Sequence, residues 1–155
     1  MGVVEELSAI AAARGRQEPR VLAERDDGVV VRSGSVVAKA HAADTDWAAL
    51  ATRLRTAAHP ALAGILLTPL QDRVAHMAEG RPVTLWPYGE PVDRDDPDSA
   101  PWEQAAALLA RLHRVPVSTL PGPLPPMRGP CKVARALDRM DAARAGGCTG
   151  GRLLP

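Results

Sequence analysis

The sequence contains no phenylalanine, no asparagine, one tyrosine and two cysteines in 155 residues. Cys131 and Cys148 have no CxxC partner and no neighbouring histidine. A disulfide framework and a zinc site are therefore both excluded from expectation, and a reducing, cytoplasmic location is expected. Charge of one sign is also missing. With 19 Lys+Arg against 18 Asp+Glu the formal net charge is +1, so neither nucleic acid nor a membrane surface is an expected partner, since each selects a one-signed basic face. No apolar run approaches the roughly 20 residues of a membrane span. Glu5 and Glu6 stand where a signal peptide carries positive charge, and Glu6 also removes a myristoylation signal.

What is present fits one globular domain. Apolar residues make up 46% and charged residues 24%, which is enough apolar material to build a core and argues against general disorder. Without phenylalanine that core has to come from Val, Leu, Ala and three Trp. The 28 alanines and the ratio of 17 Arg to 2 Lys follow a GC-rich codon bias. Each of the two lysines stands out against it.

Along the chain, residues 1–16 form an Ala-rich helix ending at Gly15, expected to be peripheral, within an N-terminal extension covering 1–19. From Arg20 the period changes. Val21 to Arg25 and Val29 to Arg32 are strands joined by an Asp26-Asp27-Gly28 turn. After Ser33-Gly34 comes a third strand, Ser35 to His41. Period two places Val37, Lys39 and His41 on one of its faces and Val36, Ala38 and Ala40 on the other. A helix capped by Asp44 or Thr45 follows, with Trp47, Leu50, Leu54 and Ala58 at intervals of three and four, and Pro60 stops it. Ile65 to Leu67, Arg73 to Met77 and Pro82 to Trp86 are further strands. The expected fold class is α+β, an antiparallel sheet interrupted by one helix over 20–89.

Beyond Tyr88-Gly89 an acidic, Pro-containing linker over Glu90–Asp98 leads to a helix near Trp102–Arg114, with Ser99 as its cap and Pro101 in its first turn. Trp102, Ala105, Leu109 and Leu112 line one side of it. Prolines 116, 121, 123, 125 and 126 break the chain before a last helical stretch, Lys132–Arg144. Residues 90–145 thus read as a linker plus a helical segment, and 146–155 as a disordered tail.

The runs VVVRSGSVVAKAHA, TLWPYGEPVD and PWEQAAALLARLHRVP, in that order, resemble the aminoglycoside phosphotransferase family of its actinobacterial type. That family has a protein-kinase-like fold. The resemblance spans roughly residues 20–117 and covers the small lobe and the first helix of the large lobe. It implies ATP and Mg²⁺ as cofactors and a small-molecule hydroxyl as acceptor of the γ-phosphoryl group. Lys39 takes the place of the third-strand lysine that contacts the α/β-phosphates, a compact point charge on a long stem. Val37 shares its face. Asp46 and Asp44 are the acids nearest to the role of pairing that lysine, although acids at a helix start commonly cap it. Thr84 to Gly89 takes the place of the hinge that meets the adenine edge. Pro87 has no N–H, so Tyr88 or Gly89 would donate, with Trp86 and Tyr88 beside the base or sealing the lobe junction.

The family's catalytic and metal-binding residues have no counterpart here. None of His41, His59, His76 and His113 begins a His-Gly-Asp loop, and no asparagine exists to ligate magnesium. No catalytic or metal residue is therefore assigned, and Asp26-Asp27-Gly28 departs from a Gly-rich phosphate loop. The 38 residues after Val117 are too few for the rest of a large lobe. The expectation is a truncated, inactive, phosphotransferase-like chain. The alternative is a non-enzymatic α+β module that binds a nucleotide, or a partner, or itself through the uncovered Trp102/Leu109/Leu112 face.

Overall fold

The computed structural model describes residues 2–93, 95–124 and 128–147. It is a mixed α+β structure in which, among the described residues, one five-strand antiparallel sheet is combined with four α-helices. The chain divides into two compact units, Met1–Leu124 and Pro125–Pro155. The first begins with helix α1 (Val3–Gly15) and strands β1 (Arg20–Arg25), β2 (Gly28–Ser33) and β3 (Val36–His41). Helix α2 (Trp47–Ala57), strands β4 (Ala75–His76) and β5 (Pro82–Pro87) and helix α3 (Trp102–His113) complete it. In the second unit, helix α4 spans Arg128–Gly147 and exposes Val133, Leu137 and Met140.

Strand order is β1-β2-β3-β5-β4, with every neighbouring pair antiparallel. The chain leaves the sheet after β3, forms α2, and returns to insert β5 beside β3. β3 is therefore the central strand. Its alternation works as the period-two pattern predicts: Val36, Ala38 and Ala40 are buried, while Val37 and Lys39 are half-exposed on the other face. The buried set joins Val29, Val31, Val83, Leu85 and Met77 in one core cluster.

The cover over that cluster is α1, which corrects the expectation of a peripheral extension. Leu7 and Ala11, one helical turn apart, are both fully buried in the core cluster, with Val3, Val4 and Ile10 packed against it. The physical reason is the small size of the sheet residues beneath. Most of the residues on that face are Val and Ala, short enough for a helix with Leu7 and Ala11 to pack against them. The helix end is fixed as well. Arg16 caps α1 in the left-handed conformation, with its amide bonded to the Ala12 carbonyl. The Ser33 hydroxyl donates to the Gln17 carbonyl at 2.6 Å and lies 3.2 Å from the Gln17 amide. A Cβ on Gly15 would collide with the Ser33 carbonyl oxygen. At the opposite edge, the Glu6 carboxylate accepts from the Ala78 amide at 2.6 Å.

Other boundaries also differ from the sequence reading. Ile65–Leu67 is not a strand. The amides of Ile65 and Leu66 both donate to the Leu62 carbonyl at 3.0 Å, and Gly64 turns the chain with φ +66°, so the segment's pairing is confined to an isolated bridge between Ala63 and Leu66. The strand expected over Arg73–Met77 shrinks to the two residues of β4, because Met77 is drawn into the turn by its bond to Arg81 and Pro82 opposite His76 has no N–H to offer. Asp46, rather than Asp44 or Thr45, caps α2. Ser99 does not cap α3. Its hydroxyl closes a short 3-10 turn onto the Asp96 carbonyl, and Pro101 occupies the N-cap position. The last helix is longer than Lys132–Arg144 and takes in Gly146 and Gly147, while residues 148–155 of the expected tail lie outside the described residues. Among the described residues no helix is long and apolar enough to cross a membrane.

Replacing Leu7 by Ala should destabilise the protein by about 2–5 kcal/mol, the usual cost of a cavity in a closed core. A peripheral helix would lose less than about 0.5 kcal/mol, so urea denaturation separates the two cases. Gly15→Ala should cost about 1–3 kcal/mol through overpacking, measurable in the same titration, whereas Gly2→Ala, which meets open space, should not.

Candidate functional site

With α1 occupying one face of the sheet, the chemistry-bearing side chains are left to the other. The pairing register brings them into rows. Val30 of β2, Lys39 of β3 and Thr84 of β5 lie opposite one another, and the next row holds Arg32, Val37 and Trp86. Lys39 thus sits on the central strand with Val37 and His41 two residues to either side on the same face. It is half-buried, and among the described residues no side chain bonds to or pairs with its ammonium group.

Beside it lies a polar array that the sequence reading did not identify. Thr84 is 1% exposed. Its Oγ1 accepts from the Trp86 indole Nε1–H at 2.9 Å and lies 2.9 Å from His41 Nε2. A hydroxyl has one proton and two lone pairs, so it can hold both neighbours whichever ring nitrogen of His41 carries the proton. Burial at this position requires partners, and none of the buried side-chain polar atoms among the described residues is left without one. The signal for residues 84 and 86 was their shared face at i and i+2. The signal for His41 was its face in common with Lys39. Only the β3–β5 register joins the two.

The other residues selected from sequence are placed as follows. The Asp46 carboxylate accepts from the Ala49 amide at 2.9 Å, so it serves as the α2 cap, and it makes no pair with Lys39. Trp86 turns its indole N–H into the Thr84 array. Tyr88 donates its backbone N–H to the Ser35 carbonyl at 2.8 Å, and its ring lies 3.6 Å beneath the Arg32 guanidinium carbon. Gly89 is exposed and open around its Cα. The structure therefore brings Val37, Lys39 and Trp86 onto one face, with Tyr88 and Gly89 at its border, and leaves Asp46 to local capping. Among the described residues no group of three His, Cys, Asp or Glu side chains converges as a metal site would require.

Within the first unit, α3 presents Trp102, which is 62% exposed, and Leu109, with Leu112 half-buried. The Trp102 indole donates to the Pro97 carbonyl, and Arg111 donates to the Gly64 carbonyl at 3.1 Å. Comparisons of the chain with family models, with curated proteins and with solved structures found no match.

Thr84→Val keeps the shape but leaves the Trp86 and His41 ring nitrogens without their shared partner. It should cost about 1–3 kcal/mol, while Thr84→Ser, which keeps the hydroxyl, should recover most of that loss. Denaturant midpoints for the two variants that fall together would show that the hydroxyl carries no such weight.

Proposed function

We propose that residues 20–89 form a nucleotide-binding small lobe of the protein-kinase-like, aminoglycoside phosphotransferase type. The observation that carries this reading is the position of Lys39. It is half-buried on the central strand, on the face that the helix α1 leaves uncovered, and one strand away from the segment that leads out of the sheet through Trp86 and Tyr88. A half-buried lysine with no acidic partner among the described residues, held on a central strand, suits phosphate oxygens as a point charge. Helix α2 lies between β3 and β4 in chain order, as the resemblance requires.

The same geometry selects the donor for a base edge. Pro87 has no N–H, and the Tyr88 N–H is already bonded to Ser35. That leaves the Gly89 N–H, which has no acceptor among the described residues. Val37, beside Lys39, offers an apolar surface for the base. Two features limit the site. The β1–β2 turn carries Asp26 and Asp27 rather than a row of glycines, so it adds no phosphate cradle and modest affinity is expected. Among the described residues no group of three His, Cys, Asp or Glu side chains converges, and the proposal for this chain is confined to the nucleotide. In the family, the γ-phosphoryl group passes to a small-molecule hydroxyl. The 155 residues contain no His-Gly-Asp run to activate that hydroxyl, so their proposed part is nucleotide binding without turnover.

The exposed α3 face supports a second reading, a module that binds a partner or a second copy through Trp102 and Leu109. Thermal unfolding with and without Mg·ATP separates the readings. A site-specific ligand stabilises the fold by about 2.7 kcal/mol at a hundredfold excess over Kd. The wild-type chain should show this shift and Lys39→Ala should lose most of it. Equal shifts in both proteins would remove Lys39 from the site, and no shift in the wild type would leave the partner-binding reading.

A further inference from the structure

The segment that leaves β5 is held to the β2–β3 hairpin by more than strand pairing. The pairing register ends at Val36↔Pro87. One residue later the Tyr88 N–H reaches back to the Ser35 carbonyl at 2.8 Å, inside the hairpin turn. The ring of Tyr88 then meets Arg32, whose guanidinium carbon lies 3.6 Å from the ring centroid. Arg32 is itself oriented. Its Nε–H donates to the Gly34 carbonyl at 2.8 Å, and Gly34 takes the left-handed conformation, φ +56°, that the turn requires. The guanidinium is thus tied to the turn through its Nε–H, and its central carbon lies over the tyrosine ring. A cation on an aromatic face is attracted by the ring quadrupole, and arginine adds flat contact that lysine cannot supply. Beyond Tyr88 no regular structure occurs among the described residues until the 3-10 turn at Pro97. Residue 88 is therefore the last fixed point before a long irregular stretch.

We infer that Arg32 is a positioning residue: through the ring of Tyr88 it clasps the start of the linker to the β2–β3 turn and so sets the direction of the Gly89 N–H. This goes beyond the nucleotide reading in assigning a role to Arg32, and its consequence for nucleotide affinity rests on that reading. It also gives Tyr88 a task different from flanking a base, because one face of its ring is already covered by the guanidinium.

Tyr88 is the single tyrosine of the chain, so ¹⁵N-tyrosine labelling yields one amide whose hydrogen exchange reports on the clasp directly, with no ligand present. In Arg32→Ala that amide should exchange about two- to five-fold faster than in the wild type, the factor a partly exposed cation–π contact supports, while in uniformly ¹⁵N-labelled samples the β5 amides preceding Trp86 keep their rates. Arg32→Lys should resemble Arg32→Ala, since the charge survives without the plane. Unchanged exchange in Arg32→Ala, or full protection in Arg32→Lys, would overturn the inference. Calorimetric titration with Mg·ATP then reads the consequence separately. Arg32→Ala should weaken binding by a similar factor, and a wild-type Kd in that variant would show that the clasp does not position the nucleotide. Absence of Mg·ATP binding to the wild-type chain would reject the nucleotide reading, and the exchange result would still decide the clasp.

Discussion

Closure of Leu7 and Ala11 over the Val and Ala side chains of β2, β3 and β5 governs the rest of the first unit. A sheet five strands wide has two faces to cover, and α1 covers one of them. Because α1 takes the Val36/Ala38/Ala40 side, the alternation of β3 sends Val37, Lys39 and His41 to the other. A slip of one residue in register would exchange the two sets and put a lysine under the helix, at a cost no hydrogen bond here could offset. Core packing on one face is thus what places the chemistry on the other. The close contact of Gly15 with Ser33 and the reciprocal link between Ser33 and Gln17 hold the helix in the one position that achieves this.

On the second face, several polar groups are tied to one another, while among the described residues none pairs with the Lys39 ammonium group. His41, Thr84 and Trp86 share a single buried hydroxyl. Arg32 is tied to Gly34 and Tyr88, and Tyr88 to Ser35. Lys39 lies between these groups and takes part in neither. Rigid surroundings with an uncommitted charge at their centre are what a recognition site for an anion needs, since the neighbours are ordered before a ligand arrives. That contrast is the physical content of the nucleotide reading. The α3 face is a different kind of feature: apolar side chains without cover, attached to the unit through Arg111 at one end.

Local signals made much of the fold legible. The turn at Asp26-Asp27, the alternation in β3, and the stop at Pro60 appear where the sequence places them, and the second turn falls at Gly34-Ser35, one residue later than expected. The failures were cases in which a turn, a cap or a tertiary contact overrode the composition of the segment. Ile65–Leu67 has the composition of a strand, but its amides turn back onto Leu62. The helix over 3–15 reads as a peripheral, Ala-rich segment, yet its Leu7 and Ala11 are fully buried in the core of the sheet. Asp46 was legible as an acid near a helix start and its capping bond followed, but nothing in the sequence could exclude a reach to Lys39.

Composition and periodicity by themselves determined the α+β class, the identity of the third strand and the side of it on which Lys39 lies, because these depend on neighbours within a few residues. The tertiary structure alone decided that β5, rather than β4, lies beside β3, and with it the meeting of His41 with Thr84 and of Arg32 with Tyr88. Strand pairing joins residues that are more than 40 positions apart in the first of those contacts, and no local preference encodes a register over that distance. The choice is made by the sum of packing on the α1 face, and the site on the opposite face inherits its geometry from that choice.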